Sequence, residues 1–174
     1  FCKEKCIVIG GTAYDPNEKH PNFSLRLKYG RNRESRTAAV RNKSNFSTFN
    51  FLISKSIFDE VRFDESIRGY GHEDMLFGHE LHQRGYEFIQ IENPLIHKGL
   101  DDNLTFLNKT KEATLNLFLL FQTGHYPFLL DESKLLRRYL WMKKLGLTPI
   151  FSLIWKFSNN MLTSQLCSES PSLF

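Results

Sequence analysis

The stretch Gly69-Tyr70-Gly71-His72-Glu73-Asp74-Met75-Leu76-Phe77-Gly78 constrains this chain more than any other. Glycines on both sides of Tyr70 allow the backbone positive φ, or close approach to a ligand. Two adjacent carboxylates follow. From Glu73 to Arg84 the apolar Leu76, Phe77 and Leu81 then recur at helical spacing, with Gly85 as the stop. Glu73 and Asp74 therefore fall where a helix starts, and its exposed N–H groups favour negative charge there. This signature predicts a sharp turn into an amphipathic helix.

The rest of the chain alternates short β-branched runs with helical ones. Lys5–Ile9 reads as a buried strand ended by Gly10-Gly11, and 12–22 as loop. Phe23–Gly30 reads as a short helix capped by Gly30. Arg31–Asn45 holds five basic residues around Glu34, which suits either a solvated connector or a mobile loop touching phosphate or sugar. Phe46–Ile53 is a strand candidate with Asn50 among apolar neighbours. A short helix begins at Ser54, and Tyr86–Glu92 is a strand ended by Asn93-Pro94. Asp101-Asp102-Asn103 offers caps for a long helix to about Gln122, with a stripe of Leu104, Leu107, Leu115, Phe118 and Leu119. Such alternation points to an α/β layer, and sixteen Phe point to a core built from rings.

Past Pro127 the texture changes. Leu135, Leu136, Leu140, Trp141, Leu145 and Leu147 alternate with Arg137, Arg138, Lys143 and Lys144. Pro149 breaks the pattern before Ile150–Phe157 resumes it. This reads as a basic amphipathic helical tail over 127–174, able to lie on anionic lipid or to pack on protein. Residues 1–126 carry 17 basic and 16 acidic side chains, too even a balance for a nucleic-acid field.

Cys2, Cys6 and Cys167 make neither a disulfide framework nor a metal knuckle, so a reducing cytosolic setting is expected. The Asn-x-Ser/Thr triplets at Asn22, Asn42, Asn45, Asn103 and Asn108 read as chance in an Asn- and Ser-rich chain. No run is long and apolar enough to span a bilayer. Because a strand starts within a few residues of Phe1, we expect a fragment of a longer protein.

Asp74 or Glu73 could serve as a general base toward an acceptor hydroxyl. His97, in Pro94-Leu95-Ile96-His97-Lys98-Gly99, could ligate a divalent metal or bond a carbonyl. A buried Asn50 could face a ligand or serve its own hydrogen bonds. His72, His79 and His82 supply the alternative reading of a small zinc hydrolase. A third reading is a non-catalytic module that binds a membrane or a partner through its tail.

Taken together, Phe63-Asp64-Glu65, Gly69-x-Gly71-x-Glu73-Asp74-x-x-Phe77-Gly78, Leu81-x-x-x-Gly85 and Pro94-x-x-His97-x-Gly99 resemble the C-terminal half of family 2 glycosyltransferases of the GT-A fold. A similar glycine-rich segment ending in Glu-Asp occurs in galactosyltransferases. The resemblance covers about residues 1–125. It implies a partial mixed sheet with flanking helices, the acceptor-side half of a GT-A domain over 1–126, followed by the helical extension. By the same resemblance, Asp74 is the base and Glu73 holds the acceptor. Asn50, Gly71 and His72 border the acceptor pocket. His97 joins an Asp-x-Asp motif in holding Mn²⁺ or Mg²⁺ on the donor diphosphate. The implied reaction is inverting transfer from a nucleotide sugar to a sugar or glycan hydroxyl, as in polysaccharide biosynthesis, in a cytoplasmic enzyme peripheral to the inner membrane face. The chain departs from the pattern in containing no Asp-x-Asp and none of the nucleotide-binding half.

Overall fold

A computed structural model describes residues 5–41 and 46–168, with the side chains of residue 159 and of 161 onward excepted. The protein is mixed α/β. It divides into two compact units, residues 1–109 and 110–174.

In the first unit, β1 (Cys6–Ile9) and β2 (Thr12–Ala13) flank Gly10-Gly11 and join different sheets. β1 is the middle of three strands. It runs antiparallel to β3 (Phe51–Leu52), with Val8 opposite Leu52, and parallel to β4 (Glu87–Gln90), with Val8 opposite Ile89. β2 pairs in parallel with β5 (Leu95–Ile96), Ala13 opposite Ile96. β1 is paired along both edges, and Cys6, Ile7 and Ile9 on it are all buried.

Against this sheet lie α2 (Lys55–Glu60) and α3 (Glu73–Gln83), contributing Ile57, Phe77 and Leu81 to one core with Val61, Tyr86 and Phe88. Rings do much of the filling. Phe63 stacks on Phe77 at 4.1 Å, and Phe46 meets Phe51 and Phe77 edge-on, each at 5.2 Å. Ser54 caps α2 by accepting the Ile57 N–H at 3.3 Å. α1 (Ser24–Arg33) and the first turns of α4 (Asn103–Gln122) are tied by the buried Asn103. Its oxygen accepts the Leu25 N–H at 2.9 Å, and its amide donates to the Pro21 carbonyl at 2.9 Å.

Several expectations need correction, among them the loop read over 12–22, which contains β2. α1 continues past Gly30 to Arg33: the missing side chain of Gly30 makes room for the Tyr14 ring and does not stop the helix. Only Phe51–Leu52 of the predicted strand 46–53 is paired, because its first half is drawn onto α3. The α4 stripe is misassigned: Leu104, Leu115 and Leu119 are exposed, while Asn116, Leu117 and Leu120 are buried. Finally, Cys6 is disulfide-bonded where reduced cysteines were expected; its partner lies outside the residues whose side chains are described.

The second unit contains the last turns of α4, then α5 (Leu129–Glu132), α6 (Lys134–Lys144) and α7 (Thr148–Ser168). Ser133 caps α6 by accepting the Leu136 N–H at 3.1 Å, and Phe118 meets Tyr139 edge-on. Pro149 falls in the first turn of α7, where it starts the helix and interrupts nothing. Among the described residues no helix is long and apolar enough to cross a membrane.

Candidate active site

The glycine turn folds as its residues require. Gly69 and Gly71 have φ of 94° and 88°, and His72 follows at 79°, the only non-glycine with positive φ among the described residues. This left-handed run aims the chain into α3, so Glu73 and Asp74 occupy its first turn. Across the turn, Lys109 Nζ lies over the Tyr70 ring at 5.4 Å and pairs with Asp101 at 2.8 Å.

Glu73 is exposed and Asp74 half-buried. Asp74 Oδ2 accepts the Thr48 backbone N–H at 3.0 Å. That contact pulls residues 46–49 onto the helix, and the missing side chain of Gly78 lets Phe46 come close. The sequence places Asp74 at a helix start; the structure adds what it holds.

Ser47 and Phe49, on either side of Thr48, line a cavity of about 560 Å³ with Arg26, Arg33, Glu34, Arg36, Arg41 and His97. β2–β5 pairing sets His97 in place, and its backbone N–H donates to the Ala13 carbonyl at 2.9 Å. The imidazole is stacked between Phe49, at 4.9 Å, and Tyr14, at 5.8 Å. Its Nδ1 is buried without a hydrogen-bond partner among the described residues. Burial first, and the charge of Arg26 second, lower its pKa and favour the neutral ring.

Arg26 is mostly buried and makes a two-pronged pair with Glu34, at 3.1 and 3.0 Å, under the Phe106 and Tyr14 rings. Tyr14 donates its hydroxyl proton to the same carboxylate. Burial, then Glu34, raises the Tyr14 pKa far above its ordinary value, so it stays a donor.

The expected site residues therefore divide. His97 lines the cavity; Asp74 stands one residue behind its wall and is not in the lining. Asn50 donates its amide to the Gly11 carbonyl at 3.0 Å and the Asn93 carbonyl at 2.8 Å, clamping the loop between β1 and β2. Gly71 and His72 shape the turn ahead of α3. Among the described residues no group of three or more His, Cys, Asp or Glu is placed to hold a metal, His72, His79 and His82 included. His97 offers one nitrogen, and by themselves these residues do not fit a divalent cation.

Comparison with known proteins adds no relative. No family model, no curated protein and no solved structure matches this chain. The cavity therefore speaks through its own chemistry. Tyr14, Arg26 and Phe49 carry no motif that would single them out in the sequence; Arg33, Arg36 and Arg41 did stand out, as the charged run before Phe46.

Proposed function

We propose that this chain is part of a GT-A glycosyltransferase that moves a sugar from a nucleotide-sugar donor to an acceptor hydroxyl, with Asp74 as general base. The observation that carries the reading is the contact of Asp74 with Thr48. It ties the carboxylate at the start of α3 to the wall of the arginine-lined cavity that also contains His97. Glu73, exposed beside it, is free to bind acceptor hydroxyls.

In the proposed step Asp74 takes the proton of the acceptor hydroxyl. The freed oxygen attacks the anomeric carbon from the face opposite the leaving group. The bond from that carbon to the diphosphate oxygen breaks, and a nucleoside diphosphate departs, inverting the centre. The described residues do not by themselves fit the Mn²⁺ or Mg²⁺ that the resemblance implies, since His97 offers it a single nitrogen.

Asp74→Asn in the intact protein tests the assignment. Loss of the base is expected to slow sugar transfer by roughly 10²–10⁴-fold while nucleotide binding stays close to wild type. Undiminished transfer by the variant would remove Asp74 from this role.

The exposed apolar side chains of α6 and α7, among them Trp141 and Trp155, support a peripheral contact of the second unit with an anionic membrane surface. This contact is compatible with transfer and does not replace it.

A further inference from the structure

The two helices that end the second unit expose their surfaces in different ways. On α6, Leu136 is buried and Tyr139 packs against Phe118, so one side of the helix is committed to the protein. The opposite side presents Lys134, Arg137, Arg138 and Trp141, all exposed. Trp141 follows the three cations by seven, four and three positions, which puts its ring among them on one face. Arg137 is held there by the Leu130 and Asp131 carbonyls, which fix the guanidinium without offsetting its charge.

α7 is built otherwise. Lys156 is the one charged residue from Thr148 to Ser168. Ile150, Phe151, Leu153, Ile154, Trp155 and Phe157 are all exposed. At about 100° per residue they spread over about 200° of the helix, leaving Ser152 and Lys156 in the narrower remainder. The stripe by which a helix packs on a protein is typically about 100° wide or somewhat more. An arc of nearly twice that width suits a medium that closes around the helix from several sides, as acyl chains do.

We propose that the second unit docks on an anionic bilayer by two separable devices. α6 senses headgroup charge with Trp141 at headgroup level, while α7 inserts between acyl chains, so that binding responds to lipid packing as well as to lipid charge. The inference rests on the membrane contact proposed above and adds to it a division of labour and a preference for loosely packed lipid. Interfacial binding scales with the apolar area inserted and with the attraction of basic residues to anionic lipid, and it varies with curvature. Tryptophan favours the boundary between headgroups and chains, which fits a ring set among cations. The excess of 6 basic over 3 acidic side chains in residues 127–174 is the charge complementarity that commits this surface to anionic lipid.

The test is flotation of the intact protein with vesicles of one composition, phosphatidylcholine with phosphatidylglycerol, made small by sonication or large by extrusion. At equal accessible lipid, binding several-fold tighter to the small vesicles is expected, and added salt should leave that ratio in place. Leu153→Ser with Phe157→Ser should weaken binding to small vesicles by about tenfold or more, the scale of burying large apolar side chains, and bring the two sizes level. Lys134→Gln with Arg138→Gln should weaken both alike at low salt and keep the ratio. All four side chains are exposed, so neither pair disturbs a packed core. The two tryptophans of the chain report depth. With lipid brominated in its acyl chains, fluorescence should be quenched more strongly in Trp141→Phe, which keeps Trp155, than in Trp155→Phe. Equal binding to both vesicle sizes, or equal quenching, would overturn the insertion of α7; phosphatidylglycerol-dependent binding that persists would leave the membrane contact standing. Binding to neither vesicle would remove that contact and this inference together, and assign the surface to a protein partner.

Discussion

At the scale of single residues, His97 shows how packing sets chemistry. A ring held between Phe49 and Tyr14 gives up water on both faces, and Arg26 repels a proton further, outweighing the attraction of Glu34 and Asp101. Its pKa in the folded protein therefore lies below the value of about 6.5 it takes when unfolded. Between those values the unfolded chain holds more protons, so stability rises with pH across the window. The contribution is complete above about pH 6.5 and is lost as pH falls toward the folded pKa. Melting temperatures from pH 5 to pH 8 should thus fall more steeply on the acid side for wild type than for His97→Phe. Parallel curves would mean that His97 titrates alike in both states. The sequence made His97 legible as a candidate, because it stands in a loop after a strand. Its partners were not, since Tyr14 and Phe49 lie far from it in the chain and carry no pattern of their own.

Elements were legible where periodicity and local capping decided them. α3 begins at Glu73 as expected, and Asp102 caps α4 by accepting the Thr105 N–H at 2.8 Å. They were illegible where tertiary contacts overrode the pattern. Leucines lie on more than one side of α4, so spacing announces a helix without saying which side is covered. Residues 46–50 have strand-forming side chains, yet Asp74 and the gap at Gly78 claim that backbone first. The entry to α3 carries its own test. His72 sits in the left-handed region, which histidine tolerates better than most residues but β-branched side chains do not. His72→Val should cost on the order of 1–2 kcal/mol in urea denaturation, and His72→Asn no more than about 0.5. Equal losses would show that side-chain contacts of His72, and not its backbone, decide its cost.

At the scale of the whole molecule, alternating strands and helices disclosed a mixed α/β protein, whereas the cavity was hidden because its arginines come from α1 and from the turn that follows it. The second unit raises the remaining question. Trp141 is 61% exposed and Trp155 56%, with Ile150, Leu153, Ile154 and Phe157 also more than half exposed along α7. Apolar surface so concentrated calls for a cover. The adjoining α6 brings Lys134, Arg137, Arg138, Lys143 and Lys144, and residues 127–174 carry 6 basic against 3 acidic side chains. Anionic lipid offers both an apolar boundary and charge complementarity, worth about 1 kcal/mol per basic residue near the surface. The protein should therefore sediment with vesicles containing phosphatidylglycerol and much less with neutral phosphatidylcholine vesicles, and added salt should release part of it. Trp141→Ser with Trp155→Ser should weaken binding at every salt concentration, because tryptophan acts through the apolar boundary and not through charge. Lys143→Gln with Lys144→Gln should weaken it at low salt only. Loss of both distinctions, with binding indifferent to lipid charge and to the tryptophans, would assign that surface to a protein partner.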